Sequence, residues 1–231
     1  MNALLIAGSD TDVGKTVLTA ALAAYWQTYC GSRRLGILKP VQSGTGDREL
    51  YHRLFALEQS LAEITPLFFQ APLAPPLAAE REDSRVDLEL AWRAFETLQQ
   101  ERDWVLVEAL GGLGSPVTRE TTVADLAWDW RLPTVLVVPV RLGAIAQAVA
   151  NVALARQCRV HLKGIVLNCV QPCDSQIIDD WAPAQLIQSL TSVPVLGCIP
   201  HLSDPTDLKQ LAQAAARLTL ERLLPIHLAL K

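Results

Sequence analysis

The sequence has no basic block, and its formal net charge at neutral pH is only −4. A nucleic acid or an anionic membrane surface attracts a concentrated positive field, so neither is expected as the main partner. Cysteine is scarce and unpatterned. The five residues Cys30, Cys158, Cys169, Cys173 and Cys198 are odd in number and include no CxxC or CxxH pair. That argues against a disulfide framework or a zinc site and predicts reduced thiols in a cytoplasmic protein. No run approaches the roughly 18 apolar residues of a membrane span. The first seven residues lack the basic start and the long apolar stretch of a secretory signal. No Ser/His/Asp or Cys/His pattern marks a covalent nucleophile.

What is present is enough material for a core. Half of the 231 residues are hydrophobic and 19% are charged, as in an ordinary globular domain, and one domain over 1–231 is expected. Short runs rich in Val, Leu and Ile, without polar alternation, predict buried strands at 4–7, 35–38, 104–107, 134–138, 162–167 and 195–199. Helical patterns fall between them at 15–28, 88–100, 144–157 and 205–223. This alternation predicts an α/β fold, a mostly parallel sheet with helices on both faces. The proline-rich stretch 66–76 reads as a loop, and 44–47 as a loop opening another helix.

The first strand runs into Gly8-Ser9-Asp10-Thr11-Asp12-Val13-Gly14-Lys15-Thr16 and then a helix. This is a phosphate-binding loop in its required context. Backbone N–H groups and the helix N-terminus cradle phosphate oxygens. Lys15 would neutralise the β- and γ-phosphates, and the Thr16 hydroxyl would ligate Mg²⁺. The ordinary pattern has glycine at the position of Ser9; here the glycine stands one residue earlier, at Gly8. Lys39 and Glu108 each follow or end an apolar strand. Both therefore fall on the edge where open α/β sheets bind ligands. A carboxylate beside a phosphate loop favours a metal role for Glu108 over a plain strand-end role.

Three segments in order carry a family resemblance: the loop itself, Lys39-Pro40-Val41-Gln42-Ser43-Gly44, and Glu108-Ala109-Leu110-Gly111-Gly112. The chain resembles the dethiobiotin synthetases of the P-loop NTPase superfamily. The extended loop is shared with the partitioning ATPases, but those carry an extra lysine early in the loop, and no lysine precedes Lys15 here. An ATP-dependent amide synthase of the cobalamin pathway is the other related possibility; it usually has a further glutaminase domain, for which 231 residues leave no room.

The resemblance implies an ATP-dependent cyclo-ligase of biotin biosynthesis that joins CO₂ to 7,8-diaminopelargonate. A carbamate forms, ATP converts it to a carbamic-phosphoric anhydride, and ring closure gives dethiobiotin, ADP and phosphate. It implies Lys39 and Lys15 as catalytic groups. Thr16, Asp47 and Glu108 would hold Mg²⁺, although Asp47 also reads as a helix cap. The nucleotide set adds Asp12, Val13, Gly14, Val17 and Gly111, and Pro200, His201 and Leu202 would line the base. Asn168 would read the adenine, with an Asx turn as its alternative. Thr11, Lys39 and Ser43 would hold the reacting end of the substrate. A homodimer is implied as well. Backbone N–H groups at Gly143, Ala144, Ile145 and Ala146 would take the distal carboxylate across its interface, and the uncharged helix that follows would be covered on both sides. Ala109 and Leu110 depart from the smaller residues that the family places there.

Overall fold

A computed structural model of the chain describes residues 2–31 and 33–225, so residues 1, 32 and 226–231 of the expected domain lie outside the description. Strands β1 (Ala3–Gly8), β2 (Leu35–Leu38), β5 (Trp104–Glu108), β6 (Thr134–Pro139), β7 (Leu162–Asn168) and β8 (Val195–Ile199) form one sheet in the order β2-β5-β1-β6-β7-β8. Every pairing in it is parallel. Strands β1, β2, β5 and β6 are buried along their whole length, as continuous apolar runs without alternation require.

The helices cover both faces. On one side α1 (Lys15–Tyr29) lies against the sheet and against α10 (Leu208–Ala215). Leu18 through Ala24 of α1 are all buried, and the four alanines let backbone and sheet approach closely. Trp26 packs in tilted contact with Trp104, ring centroids 4.9 Å apart, and donates its indole N–H to the Arg33 carbonyl, 3.1 Å away. The opposite face carries α5 (Leu88–Glu101) and α6 (Val123–Asp129), with Phe95 stacked on Trp130 at 5.5 Å. A third apolar cluster lies under α7 (Ala144–Gln157) and α9 (Ala184–Thr191).

Two segments differ from the sequence reading. The stretch read as a loop over 66–76 contains β4 (Leu67–Phe69), which pairs with β3 (Val41–Ser43) in a small parallel ladder, and the start of α4 (Pro75–Arg81). Prolines flank β4 rather than interrupt it, and Pro75 occupies the first helical turn, where its missing N–H is harmless. The helix expected over 205–223 is shorter. Asp207 caps α10 by accepting from the N–H groups of Lys209 and Gln210. Beyond Ala215 the chain turns back to β8, where the Thr219 N–H reaches the Leu196 carbonyl at 2.8 Å. The helices α2 (Asp47–Leu54), α3 (Leu61–Ile64) and α8 (Ser175–Trp181) complete the described set.

Between β7 and β8 the sheet depends on a missing side chain. A Cβ on Gly164 would stand 2.5 Å from Leu196 Cγ, inside van der Waals contact. Gly164→Ala should therefore overpack this edge and destabilise the protein by about 1–3 kcal/mol in denaturant unfolding. Truncating the neighbour, in a Leu196→Ala background, should shrink that cost; an equal cost in both backgrounds would remove the clash as its cause.

Candidate functional site

The phosphate loop leaves β1 at Gly8 and enters α1 at Lys15, and its path needs unusual backbone at two points. Gly14 has φ +99° and Asp12 φ 55°, the left-handed region that glycine tolerates freely and aspartate better than most residues. A Cβ at Gly8 would meet the Asp10 carbonyl at 2.7 Å. The extended loop with its glycine at position 8 is therefore a packing requirement of this chain. Lys15 folds back over the loop, and its Nζ donates to the Asp10 carbonyl at 3.1 Å. Burial lowers the Lys15 pKa, opposed by Glu108, with Lys39 adding to the lowering.

Strand register brings the remaining charges to the loop. Leu38 pairs with Val107 and Ile6 with Glu108, so the ends of β2, β5 and β1 lie side by side. Lys39, immediately after β2, donates to Glu108 Oε1 at 2.8 Å and to Asp47 Oδ2. Burial works against the Lys39 charge, yet the Glu108 and Asp47 carboxylates outweigh it and raise the pKa. Thr16 Oγ1 lies 3.2 Å from both Asp47 Oδ1 and Glu108 Oε1. A hydroxyl has one proton, so it satisfies one of these carboxylates at a time.

These oxygens fit a hard divalent cation. Thr16 Oγ1 and the two carboxylates converge, and the Lys39 ammonium already shows that the pair accepts positive charge. Among the described residues no group of three or more His, Cys, Asp or Glu side chains could hold a metal. An ion here would complete its shell from nucleotide and water, as Mg²⁺ commonly does.

Thr11, Asp12, Gly14, Lys15, Thr16, Lys39, Ser43, Asp47, Glu108 and Gly111 all line one cleft of about 800 Å³. Its lining also includes the polar Gln42, Thr45 and Ser115 and an apolar portion made by Leu110 and the segment Pro72, Leu73, Ala74 and Pro75. The departure at Leu110 thus adds a side chain to the cleft, whereas Ala109 is buried beneath it. Ser43 lines the cleft, and its Oγ is buried with no hydrogen-bond partner, an unusual condition for a hydroxyl. Asp47 is the first residue of α2. The helix-cap alternative is not realised, because Gly46 holds the cap position; the Asp47 carboxylate contacts Thr16 and Lys39 instead.

Other expected residues lie outside this lining. Val13 is fully buried and Val17 half-buried on α1. Asn168 forms no Asx turn; its Nδ2 donates to the Val13 carbonyl at 3.0 Å, tethering β7 to the phosphate loop. Pro200, His201 and Leu202 follow β8, with His201 exposed and Leu202 packed on the core. Gly143 caps α7 with φ +89°, and the Ala144 N–H is already bonded to the Arg141 carbonyl at 3.0 Å. That leaves the Ala144 amide unavailable as expected for an anion.

The sequence reading missed three contributors. Tyr51 donates its phenol to Glu108 Oε2, and Thr19 Oγ1 reaches the same oxygen at 3.0 Å. Burial, then Glu108, pushes the Tyr51 pKa well above its ordinary value. Gln42, also buried, accepts from the Arg48 N–H at 3.1 Å and donates to the Gly44 carbonyl at 3.0 Å, bracing the turn before Asp47. The helical spacing Asp47–Tyr51 and Lys15–Thr19, four residues each, was the available signal.

Residues 2–208 match a family described as an AAA domain. An ATP-dependent dethiobiotin synthetase from Gloeothece citriformis is 60% identical over 226 residues, covering 98% of this chain and all of that protein. Another from Crocosphaera subtropica is 54% identical, covering 96% of this chain and 100% of its own. One from Bacillus subtilis is 30% identical over 89% of this chain and 90% of its own. Among solved structures, the cell-division ATPase MinD of Pyrococcus furiosus superposes with a TM-score of 0.59 at 16% identity, over 96% and 98% of the two chains. A ParA family ATPase from Chlorobium tepidum gives 0.55 at 14%, with the same coverage. At such identities these two show the fold alone.

Gly14 is the tightest point of the loop. A Cβ there would stand 2.0 Å from Asn168 Nδ2 on a backbone already at positive φ. Gly14→Ala should break the Asn168 tether and lower affinity for an ATP analogue more than tenfold in calorimetry, since strain of this kind costs of order 1–3 kcal/mol. Unchanged affinity would mean that the loop is not the nucleotide cradle.

Proposed function

The chain belongs to the ATP-dependent dethiobiotin synthetase family, and we propose that this cleft is where it closes the ring of dethiobiotin from 7,8-diaminopelargonate, CO₂ and ATP. The observation that carries the assignment of residues is the convergence of Lys15, Thr16, Lys39, Asp47 and Glu108 at the ends of three adjacent strands.

Each group then has a task that its position suits. The phosphate loop and Lys15 hold the nucleotide phosphates, with Asp12, Gly14 and Gly111 at the same wall. Thr16, Asp47 and Glu108 hold Mg²⁺, which when bound neutralises phosphate charge. An amine of the substrate captures CO₂ as a carbamate with loss of a proton, and the γ-phosphoryl group passes to a carbamate oxygen as its bond to ADP breaks and ADP leaves. The second amine then attacks the carbonyl carbon and phosphate leaves, giving the cyclic urea. Lys39 stabilises the carbamate and the anion that forms during transfer. Thr11 and Ser43 hydrogen-bond the reacting end, and the unpaired Ser43 hydroxyl supports that role. Leu110 and the 72–75 segment offer the methylene chain an apolar wall. No protein nucleophile is required; positioning and charge stabilisation carry the reaction. Val13, Val17, Asn168, Pro200, His201 and Leu202 belong to the nucleotide side of this reading, Asn168 through its hold on the loop.

Five free thiols support a reducing, cytoplasmic setting. Among the described residues no helix is long and apolar enough to cross a membrane. The whole chain is taken to act as one domain.

Lys15 and Lys39 should separate experimentally. Lys15→Ala should abolish turnover and weaken ATP-analogue binding together. Lys39→Ala should leave analogue affinity within a few-fold of the parent while turnover falls by roughly 2.7–4 kcal/mol in transition-state terms, the usual loss of a fixed oxyanion donor. Equal losses in binding and turnover for Lys39→Ala would place it on the nucleotide instead. Formation of dethiobiotin, followed by mass spectrometry, is the readout.

The reading includes a homodimer. Leu142 is 78% exposed at the start of α7, and Ala146, Val149, Ala150 and Ala153 form an uncharged outer face on that helix. Leu186 and Leu190 are exposed on the neighbouring α9. A second copy is the cover argued for, with Gly143, Ile145 and Ala146 offering N–H groups to the substrate carboxylate across it. Val149→Asp should convert a sedimenting dimer to monomer and raise KM for diaminopelargonate. A variant that is monomeric with parental KM, or a parent that is already monomeric, overturns the proposal.

A further inference from the structure

Glu108 is wholly buried, and its two oxygens have different partners. Oε1 faces the cleft, toward Lys39 Nζ at 2.8 Å and Thr16 Oγ1 at 3.2 Å. Oε2 faces away and receives the Tyr51 phenol and the Thr19 hydroxyl. Thr19 cannot hold that oxygen alone, because its single proton is shared with the Lys15 carbonyl at 2.9 Å. The Tyr51 phenol donates to Glu108 Oε2, and its ring has no solvent exposure. Tyr51 also lies four residues after Asp47, on the same face of α2. One helix therefore presents one cleft carboxylate directly and braces the other from behind.

We propose that Tyr51 is a positioning residue for the Mg²⁺ site: it occupies Glu108 Oε2 and so fixes the carboxylate with only Oε1 directed at the cation. Partners behind a metal ligand set its orientation, and their loss typically lowers metal affinity by about 10–100-fold. Without the phenol, Glu108 is free to turn about its side-chain torsions, and its inner oxygen keeps only a shared hydroxyl. The registry of Asp47 and Tyr51 makes the docking of α2 part of the metal site's geometry. The inference rests on the assignment of Mg²⁺ to Thr16, Asp47 and Glu108.

The test is calorimetric titration of a non-hydrolysable ATP analogue with and without Mg²⁺, for the parent, Tyr51→Phe and Glu108→Gln. The Phe variant keeps the ring that fills the core and removes the hydroxyl. Tyr51→Phe should bind the metal-free analogue like the parent and lose about tenfold or more of the Mg²⁺-dependent gain. A parental gain in Tyr51→Phe, with the gain lost in Glu108→Gln, overturns the role of Tyr51 alone. A parental gain in both variants overturns the metal assignment itself. A Tyr51→Phe protein that loses metal-free and metal-dependent binding in equal proportion makes Tyr51 merely structural. Should that variant fail to fold, tyrosine labelled with ¹³C at the phenol carbon reports on the unaltered protein. Its Tyr51 resonance should shift when Mg²⁺ is added to the analogue complex, and an unmoved resonance overturns the proposal.

Discussion

A carboxylate buried without solvent governs how this molecule is put together. Glu108 has no exposed surface, and an isolated ion in such a place would be costly enough to neutralise or to unfold its surroundings. It is held instead by donors from separate parts of the chain: Thr16 and Thr19 on α1, Lys39 beyond β2, and Tyr51 on α2. Each donor also draws its element onto the end of β5. Removing one partner of a buried pair commonly costs about 3–5 kcal/mol, because the remaining charge stays buried. The cleft and the core are therefore one construction, and the reacting groups sit on rigid elements.

The phosphate loop is fixed by contact as much as by conformation. Asn168 at the end of β7 grips the Val13 carbonyl, and a side chain on Gly14 would collide with that amide. On the other flank the turn at Gly111 and Gly112 approaches closely enough that a Cβ on Gly112 would lie 3.1 Å from the Ser9 carbonyl. Asn151 on α7 also reaches that carbonyl, at 3.2 Å. The loop is thus clamped between β7, the 111–112 turn and α7. Backbone donors already aimed need little rearrangement when an anion arrives.

Much of this was legible in the sequence, and the legible parts share a cause. Buried parallel strands must be apolar without alternation, so the six runs stood out, and the loop, Lys39 and Glu108 were located by following those strands to their ends. Local pattern carries no information on which strands become neighbours. That Lys39 touches Glu108 depends on β5 lying between β2 and β1, a pairing of residues 69 apart. The small β3–β4 ladder was hidden because three residues between prolines give no period to detect. The 205–223 helix was overread: its apolar positions keep helical spacing past Ala215, but Leu218 is needed against Gly197 of β8, where a Cβ would stand 2.9 Å from it. Tyr51 was signalled only by its four-residue spacing from Asp47, a weak cue because a tyrosine in an amphipathic helix is more often core than contact. Here it is both.

The same fold serves proteins of other purposes, and the superposition on MinD and a ParA family ATPase shows how little the scaffold decides. What distinguishes this chain is where its positive charge comes from. No lysine precedes Lys15 in the loop, and the other lysine of the cleft, Lys39, stands at the end of β2. A lysine fixed there is held by its own chain's carboxylates, buried, and present whatever the state of association. It lines the same cleft as the phosphate loop and Ser43. A charge supplied by a partner copy would make phosphate chemistry conditional on assembly, which suits a switch. A charge built into the strand edge is in place without a second copy, so in the proposed dimer assembly would bear on holding the distal end of the substrate and not on the charge beside the phosphate loop.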